Sequence, residues 1–322
     1  MEDEEEEEGR SNSSGEEEGV VMDDIGIDID DDDDGVNSDD DGDEEVDARG
    51  LGELAREVNR AVLNMYGAHL SEDGRQVDYA GLAGSPEFEA YRRLVAHLRR
   101  VAVDDLVDLE RDDVMALLLN LYNALVIHAN VEIGPPTNLE ERVKFFALAS
   151  YQIGPDTVLS LDEIEHGLLR GNARHPAPIF KSPLVDEGNE PVLAAVAERM
   201  RPIDPRIHFA LVCGARSCPP IRLFSGRNLE FGLSAAASNF CGQSVRIIDP
   251  IHPPRRTLEL SMIFKWYSGD FPGGGAIAWL AENAESVFVD APDVLDLFTD
   301  SNFNADEIDI VYADYDWGLN DH

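Results

Sequence analysis

The segment 206–222 reads RIHFALVCGARSCPPIR and carries one histidine and two cysteines. Its apolar part, residues 207–213, predicts a strand, and the residues after it predict a tight turn that ends before two prolines. Cys218 lies in that turn near Arg216, and a nearby cation lowers the pKa of a thiol. A Cys218 thiolate with His208 as its base would form a nucleophilic pair for acyl transfer. The turn is also consistent with a structural cysteine packed under the prolines.

Cys213 ends the same predicted strand. Side chains alternate along a strand, so His208 and Cys213 should point to opposite faces. We therefore expect Cys213 to be a small apolar core residue without reactivity. A zinc site is disfavoured, because Cys213 and Cys218 should face apart and their C-x4-C spacing has no second cysteine pair. We predict no metal and no cofactor.

A second polar set lies on the longest apolar segment, residues 112–131, which we predict to be a buried helix. Asn120, Asn123 and His128 fall close to one face of this helix. A buried polar group without a hydrogen bond costs about 1–3 kcal/mol, so these side chains need partners. Either Asn123 supports a catalytic histidine or an oxyanion, or the three residues form a hydrogen-bonded core network.

A third set follows a predicted helix start at Ser160, where Glu163 completes a capping box. Residues four apart share a helix face, and this face carries Asp162, His166 and Arg170. His166 is a candidate catalytic residue, with Glu165 beside it as an acid–base partner. Arg170 could bind a substrate carboxylate or phosphate through two hydrogen bonds, or it could interact with the helix dipole.

Other candidates complete the predicted site. The loop after the third set, through His175, could line the same cleft. Arg216 and Trp266 are expected to bind substrate, and Asp270 could orient a histidine. Aromatic side chains such as Trp266 and Tyr267 are also consistent with ordinary core packing.

The remaining pattern predicts further helices over 51–66, 86–101, 189–200 and 228–240, a hairpin within 149–160, and strands over 244–248, 256–260 and 308–313. Helices come early and strands come late, which favours the α+β class. We expect a helical N-terminal half around one buried helix, packed on a small, mainly antiparallel sheet.

Charge is divided unevenly along the chain. The formal net charge is −41, and residues 1–50 contain 25 acidic and two basic side chains, which give 2 − 25 = −23. Residues 1–48 have too few large apolar side chains to offset an ordering cost of about 1–2 kcal/mol per residue. We predict a disordered acidic tail over 1–48 and a single globular domain over 49–322. The tail could dock to a basic protein or act only as a solubilising segment.

The composition also argues against several functional classes. A nucleic-acid-binding protein needs clustered lysines and arginines, and this chain is strongly acidic with only 25 basic residues. It shows neither a secretory signal nor a mitochondrial transit pattern, and no apolar run reaches the roughly 18 residues of a membrane span. Three cysteines are too few for a disulfide scaffold and fit a reducing compartment. We expect an intracellular protein, cytoplasmic or nuclear, without membrane insertion.

Five separated stretches occur in the order of a known family: NLYNALVIH (120–128), SLDEIEHGLLRG (160–171), IHFALVCGARSCPPI (207–221), LSMIFKWYSGDF (260–271) and YDWGLN (315–320). Together they make residues 51–320 resemble the domain of unknown function 547 family. This resemblance brings no settled activity. The family is in turn distantly similar to papain- and transglutaminase-like folds, in which a cysteine at a helix start faces a histidine on a sheet. His252 follows Cys218 in the cysteine-before-histidine order of papain-like enzymes.

Two functional hypotheses follow, and whether the protein is an enzyme stays open between them. The first is a cysteine-dependent hydrolase or acyl transferase, with Cys218 as nucleophile, His208 as base, and Asn123 or His166 in support. The second is a non-catalytic interaction or regulatory module that binds a protein partner through an aromatic cleft and the acidic tail.

Overall fold

The computed structural model describes residues 20–21, 50–176, 184–186, 188, 190–249 and 256–322. The predicted acidic tail, apart from residues 20–21, and His252 lie outside the described residues. The division of the chain into a tail over 1–48 and one domain over 49–322 stays a prediction.

Helices form most of the described chain. The α-helices are α1 (Leu51–His69), α2 (Tyr79–Leu82), α3 (Pro86–Ala96), α4 (Asp105–Asp108), α5 (Arg111–Glu132), α6 (Leu139–Leu148), α7 (Pro191–Arg199), α8 (Leu229–Ser244), α9 (Met262–Trp266), α10 (Ala276–Glu282), α11 (Ala284–Val287) and α12 (Pro292–Thr299). Short 3-10 helices lie at His97–Arg100, Pro205–Phe209, Gly226–Asn228, Ser268–Asp270 and Ala305–Glu307, and Glu163–Leu169 is a π-helix.

The strands form two small mixed sheets. The first contains β1 (Val20–Val21), β2 (Ala149–Gln152) and β3 (Val158–Ser160), with β1 parallel and β3 antiparallel to β2. The second contains β4 (Arg246–Asp249), β5 (Arg256–Leu260) and β6 (Ile308–Tyr312), with β4 antiparallel and β6 parallel to β5. The predicted α+β class and the helical N-terminal half are confirmed. The strands form two sheets instead of one, and each sheet contains one antiparallel and one parallel pair.

Helix α5 is the centre of the first core. Its side chains from Val114 to Asn130 are buried on every face, as its continuous apolar run predicted. By length and composition α5 could cross a membrane, but 94% of its most apolar window is buried inside the protein. The helix therefore packs as an internal core helix. Its polar side chains must be satisfied by other parts of the protein.

The segment that carries the predicted site lies between two hydrophobic cores. The first core surrounds α5 and includes Ile207 and Cys218. The second is built from α8 to α12 and β5, and it includes Phe209. Consecutive side chains of this one segment thus anchor in different cores, which fixes the position of the backbone from residue 205 to residue 218.

The predicted strand over 207–213 is wrong. Pro205–Phe209 is a 3-10 helix, because Asp204 accepts a hydrogen bond from the Arg206 backbone N–H and Pro205 has the φ of a first helical residue. Residues 211–213 have no regular secondary structure and pair with no strand of the described chain. Instead the Asn123 side chain on α5 donates to the Ala210 carbonyl at 2.9 Å and accepts from the Val212 N–H at 2.9 Å. The Asn123 side-chain amide therefore makes the backbone hydrogen bonds that a neighbouring strand would make in a sheet.

The predicted capping box at Ser160 is confirmed, but the helix after it is a π-helix. The Glu163 carboxylate accepts from the Ser160 backbone N–H at 2.8 Å, and the Glu163 N–H donates to Ser160 Oγ at 3.2 Å. At the other end the Arg170 N–H donates to the Glu165 carbonyl at 2.8 Å, a five-residue separation. π-helical turns are rare in proteins, and those that exist are frequently found at functional sites. The wider turn changes the direction of the side chains.

Candidate functional site

A cleft of about 410 Å³ lies where α5, the π-helix, the segment after residue 205, α9 and the C-terminal residues meet. Most of its wall is apolar. Its polar and aromatic lining includes the predicted residues Cys218, His208, His166 and Trp266, together with Cys213, Asp162, Glu165, His175, Tyr267 and Tyr315. The structure thus brings four of the seven predicted site residues to one cleft, whereas Asn123, Arg170 and Arg216 do not line it.

Two thiols converge in this cleft. Cys213 Sγ lies 2.8 Å from Cys218 Sγ, and the two sulfurs lie 3.4 and 3.3 Å from Tyr315 Oη. The Cys213 backbone N–H also donates to Cys218 Sγ at 3.1 Å. Our expectation that Cys213 and Cys218 face apart is therefore wrong. The reason is the missing strand: Gly214 has a φ of +82°, and this left-handed residue turns the chain back on itself.

The two thiols differ in acidity. The hydrogen bond from Cys218 outweighs burial and lowers the pKa of Cys213 to about 7. Burial and the neighbouring Cys213 raise the pKa of Cys218 well above its ordinary value. Burial and the two cysteines also raise the pKa of Tyr315, so its phenol stays protonated and can donate to sulfur. The pair therefore loses its first proton from Cys213, which is partly exposed.

Arg216 does not lower the pKa of Cys218 as expected. Its side chain is 63% exposed, and its ion-pair partner is Asp316, with a closest N–O distance of 4.0 Å. It lines a second pocket, of about 270 Å³, on the other side of Cys218. Burial therefore dominates the pKa of Cys218, and the exposed guanidinium is screened by water.

His208 is held by a buried charged group rather than by a cysteine. His208 Nε2 lies 2.8 Å from Asp270 Oδ2, and the His208 ring stacks on Tyr267 with centroids 3.8 Å apart. The hydrogen bonds of Cys218 go to Cys213 and Tyr315, so the predicted direct pair of Cys218 and His208 is not formed. Within the described residues, His208 Nδ1 is buried without a hydrogen-bond partner.

Asp270 orients a histidine, as its sequence position suggested, and it also pairs with Arg170. Arg170 Nε and Nη2 donate to the two Asp270 oxygens at 2.6 and 2.9 Å. Burial raises the pKa of Asp270, but the hydrogen bonds from His208 and Arg170 outweigh this effect and hold it at about 2. Arg170 is buried, and it also donates to His166 Nδ1 and to the Arg174 carbonyl, so it holds other side chains of the site in position. Its predicted role in substrate binding stays a prediction.

Asp162, His166 and His175 form a cluster of three buried side chains. Asp162 Oδ1 lies 3.9 Å from Nε2 of each histidine, and the imidazole centroids are 4.1 Å apart. Burial, followed by Glu165 and Glu163, raises the pKa of Asp162 to about 7. A carboxyl group with such a pKa can give or accept a proton near neutrality.

The same cluster has the residue types of a metal site, with ligand atoms within 4.8 Å of one another. The hydrogen bond on the far side of His166 does not fit a metal, however. Arg170 Nη1 donates to His166 Nδ1 at 3.1 Å, which leaves the proton of the neutral imidazole on Nε2. A metal would need a lone pair on that Nε2 and a hydrogen-bond acceptor beside Nδ1. The geometry therefore favours an acid–base cluster.

Glu165 and Asn123 act through other residues. Glu165, predicted to be an acid–base partner of His166, accepts hydrogen bonds from Tyr122 at 2.9 Å and Tyr267 at 2.6 Å. These two phenols occupy both of its oxygens. Asn123 lies behind the cleft, where it fixes the backbone between His208 and Cys213.

The other polar side chains of α5 match the core-network alternative. Asn120 donates to the Phe224 carbonyl at 2.7 Å and accepts from the Phe224 N–H at 2.9 Å. His128 Nδ1 lies 2.9 Å from Tyr151 Oη, and burial lowers the pKa of His128 to about 3. His128 is therefore neutral and structural.

One side of the cleft is formed by three aromatic side chains, which we call the aromatic wall: Trp266, Tyr315 and Trp317. The Trp266 ring lies 4.9 Å from that of Tyr315 and 5.4 Å from that of Trp317, measured between centroids. The Arg142 guanidinium lies 4.0 Å from the Trp317 ring centroid, within cation–π range. Trp317 is 39% exposed, so the wall reaches the surface.

Sequence reasoning missed Tyr315 and the role of Cys213. The C-terminal residues reach the site by pairing with the thiol turn: the Arg216 N–H donates to the Gly318 carbonyl at 2.8 Å, and the Asn320 N–H to the Gly214 carbonyl at 2.9 Å. The stretch YDWGLN contains Tyr315. The closeness of a tyrosine and a tryptophan in this stretch was the sequence signal that could have indicated a contribution to the site.

A family described as "Protein of unknown function, DUF547" matches residues 106–241. This chain carries a DUF547 domain. Cys213, Cys218, His166 and His208 lie within the matched range of the DUF547 domain, whereas Asp270 and the aromatic wall come from the chain that follows it. Neither the curated proteins nor the solved structures include a match to the chain.

Proposed function

We propose that the cleft is the active site of a thiol-dependent hydrolase or acyl transferase in which Cys213 is the nucleophile. The observation that carries this proposal is the convergence of Cys213, Cys218 and Tyr315, with two groups able to donate to the Cys213 sulfur. The pKa of Cys213, lowered to about 7, supplies thiolate near neutral pH. Cys218, our first choice as nucleophile, becomes the group that stabilises this thiolate.

The chemistry divides into attack and proton transfer. The Cys213 thiolate attacks a carbonyl carbon, a sulfur–carbon bond forms, and the bond to the leaving group then breaks. The leaving group needs a proton, and Asp162 lines the same cleft with a pKa raised to about 7. Water or another acceptor then attacks the thioester and frees the thiol. Asp270 and Arg170 hold His208 and His166 in place during these steps.

The substrate class follows from the cleft wall. The aromatic wall and the apolar lining favour an acyl group with an aliphatic or aromatic body. Aryl esters and thioesters of increasing acyl length are suitable probes, since release of the aryl alcohol or thiol can be followed optically. Intact-mass analysis then shows whether an acyl group is retained on the protein.

The test compares the wild type with two cysteine variants. We expect an acyl adduct on Cys213 in the wild type, and Cys213→Ser should lower turnover about 10³-fold or more. Cys241→Ser is the matched control, because Cys241 is fully buried in the second core and should not affect turnover. Turnover that survives in Cys213→Ser, or a complete lack of adduct across the probe series, would overturn the proposal.

The exposed aromatic wall supports a second candidate, a protein-interaction module. Trp317 is 39% and Leu139 is 69% exposed beside the cleft, and large exposed apolar side chains often mark interaction sites. The chain's net charge of −41 favours a basic protein as the partner. An intracellular location, cytoplasmic or nuclear, is part of both proposals, since the three free cysteines fit a reducing compartment.

A lysine-rich peptide of defined length is a direct probe of this second candidate. Trp317→Ala and removal of residues 1–45 should each weaken its binding, whereas Cys213→Ser should not. If Cys213→Ser abolishes turnover and Trp317→Ala leaves peptide binding unchanged, the enzyme proposal stands alone.

A further inference from the structure

We propose that Cys213 and Cys218 form a reversible disulfide, which gives the cleft a thiol–disulfide exchange activity with small-molecule disulfides. This activity is distinct from acyl transfer, because it depends on the proximity of two sulfurs and not on a carbonyl substrate. It concerns the same two residues, so its test must separate the two chemistries.

The first support is the position of the sulfurs. Cys213 Sγ and Cys218 Sγ are 2.8 Å apart, and a disulfide bond is about 2.05 Å long. The sulfurs therefore need to approach by roughly 0.8 Å, a movement that side-chain rotation can supply. The turn between them is already closed, because the Cys218 N–H donates to the Ala215 carbonyl at 3.0 Å. Bond formation would require no rearrangement of a long loop.

The second support is a division of roles between the two thiols. Both cysteines line the cleft, but Cys213 is partly exposed, so a small disulfide can reach it, whereas Cys218 is only 6% exposed. Cys213 is therefore the attacking thiol and Cys218 the resolving thiol. Thiolate, not thiol, is the reactive form, and a thiol with a pKa near the ambient pH attacks fastest.

The resolving step is helped by the attacking step. Burial, with the hydrogen bond and the charge of Cys213, raises the pKa of Cys218 in the reduced protein. Once Cys213 is bound in a mixed disulfide it carries no charge, and that part of the effect disappears. The Cys213 backbone N–H and the Tyr315 hydroxyl remain as donors to Cys218 Sγ, at 3.1 and 3.3 Å.

The reaction balances with a low-molecular-weight disulfide as the oxidant. The Cys213 thiolate attacks one sulfur of this disulfide, a new sulfur–sulfur bond forms, and the first small thiolate leaves and takes a proton from water. Cys218 then loses its proton and attacks Cys213 Sγ, which releases the second small thiol. Two protein thiols are oxidised and one small disulfide is reduced to two thiols. Reduction runs through the same steps in reverse.

Glutathione disulfide is the probe for the test. The full-length protein is equilibrated with reduced and oxidised glutathione in a series of ratios, quenched with acid, and alkylated with iodoacetamide. We expect the wild type to lose its two cleft thiols together, with a mass decrease of two hydrogens and no retained glutathione. Cys241, fully buried in the second core, should be alkylated only after unfolding.

Two variants assign the roles. Cys218→Ser should stop at a stable glutathione adduct on Cys213, because the resolving thiol is missing. Cys213→Ser should gain less than one-tenth of that adduct in the same time. Cys241→Ser is the matched control and should behave as the wild type. Phenylarsine oxide, which bridges two neighbouring thiols, provides a test on the wild type that does not depend on the folding of a variant.

Three results would overturn the proposal: a stable glutathione adduct on the wild type, no oxidation at the highest proportion of glutathione disulfide, or failure of phenylarsine oxide to block both thiols. The test also separates this proposal from the acyl-transfer function. Cys218→Ser cannot form the disulfide but retains the Cys213 nucleophile and a hydroxyl donor. Ester turnover by a wild type that forms no disulfide means that the exchange proposal fails, whereas disulfide formation by a wild type without turnover means that the acyl-transfer proposal fails.

Discussion

Removal of the Cys218 thiol should make Cys213 an ordinary cysteine. The hydrogen bond from Cys218 is the largest cause of the lowered pKa of Cys213, about 7 compared with 9.0 for the unperturbed group. In Cys218→Ala the pKa should return to at least 9, so the thiolate fraction at pH 7 falls from about one-half to about 1%, roughly 50-fold. A more basic thiolate is also a better nucleophile, by about eightfold over two pKa units. The net loss of reaction rate at pH 7 is therefore about sixfold.

The assay is the rate of reaction of Cys213 with a chromogenic small disulfide, measured by stopped flow from pH 5.5 to 10. The midpoint of the rate profile should move from about 7 in the wild type to 9 or above in Cys218→Ala. Cys218→Ser keeps a hydroxyl donor and should show a smaller shift, and Cys241→Ser should show none. A midpoint that stays near 7 in Cys218→Ala would show that another group stabilises the thiolate and would refute the reasoning.

Three further predictions concern the framework of the cleft. Asp270→Asn should lower the free energy of unfolding by about 3–5 kcal/mol, because it leaves the buried Arg170 without its charged partner. The folded pKa of Asp270, about 2, is below its unfolded value, so this stabilisation is present above about pH 4 and is lost as the pH falls towards 2. Asp162→Asn should stabilise the protein by about 4 kcal/mol at pH 8 and have little effect at pH 4. The folded pKa of about 7 lies above the unfolded one, so burying the charge costs stability as the pH rises. Asn123→Ala should cost about 2–4 kcal/mol and slow the reaction of Cys213, whereas Asn120→Ala should cost a similar amount and leave that reaction unchanged.

Urea unfolding at each pH measures the first two of these predictions. An Asp270→Asn variant that keeps its stability near pH 7, or an Asp162→Asn variant that is less stable at pH 8, would contradict the assigned protonation states. For the asparagine pair, equal loss of Cys213 reactivity in both variants would mean that general loosening of α5, and not the backbone from residue 210 to 212, controls the thiol.

Local signals in the sequence predicted the local structure well. The capping box at Ser160 and Glu163 formed as expected, because its hydrogen bonds join residues three apart. The continuous apolar run over 112–131 became α5, Arg111–Glu132, because such a run can be buried on every side. The hairpin within 149–160 and the strands near 256–260 and 308–313 also formed. The capping box and the hairpin depend on neighbouring residues alone, whereas β5 and β6 pair with each other across about fifty residues.

Only the tertiary structure determined which groups contact the Cys213 and Cys218 thiols. The apolar run over 207–213 has the composition of a strand, but a side-chain amide from Asn123 replaces the neighbouring strand, and the alternation that separated His208 from Cys213 disappears. Tyr315 reaches the sulfurs across about one hundred residues, through backbone pairing that no local pattern records. Sequence alone therefore identified the reactive residue types and their order. Their pairing and their acidity were decided by contacts between distant segments, because the pKa of a thiol depends on the burial and the donors that packing places around it.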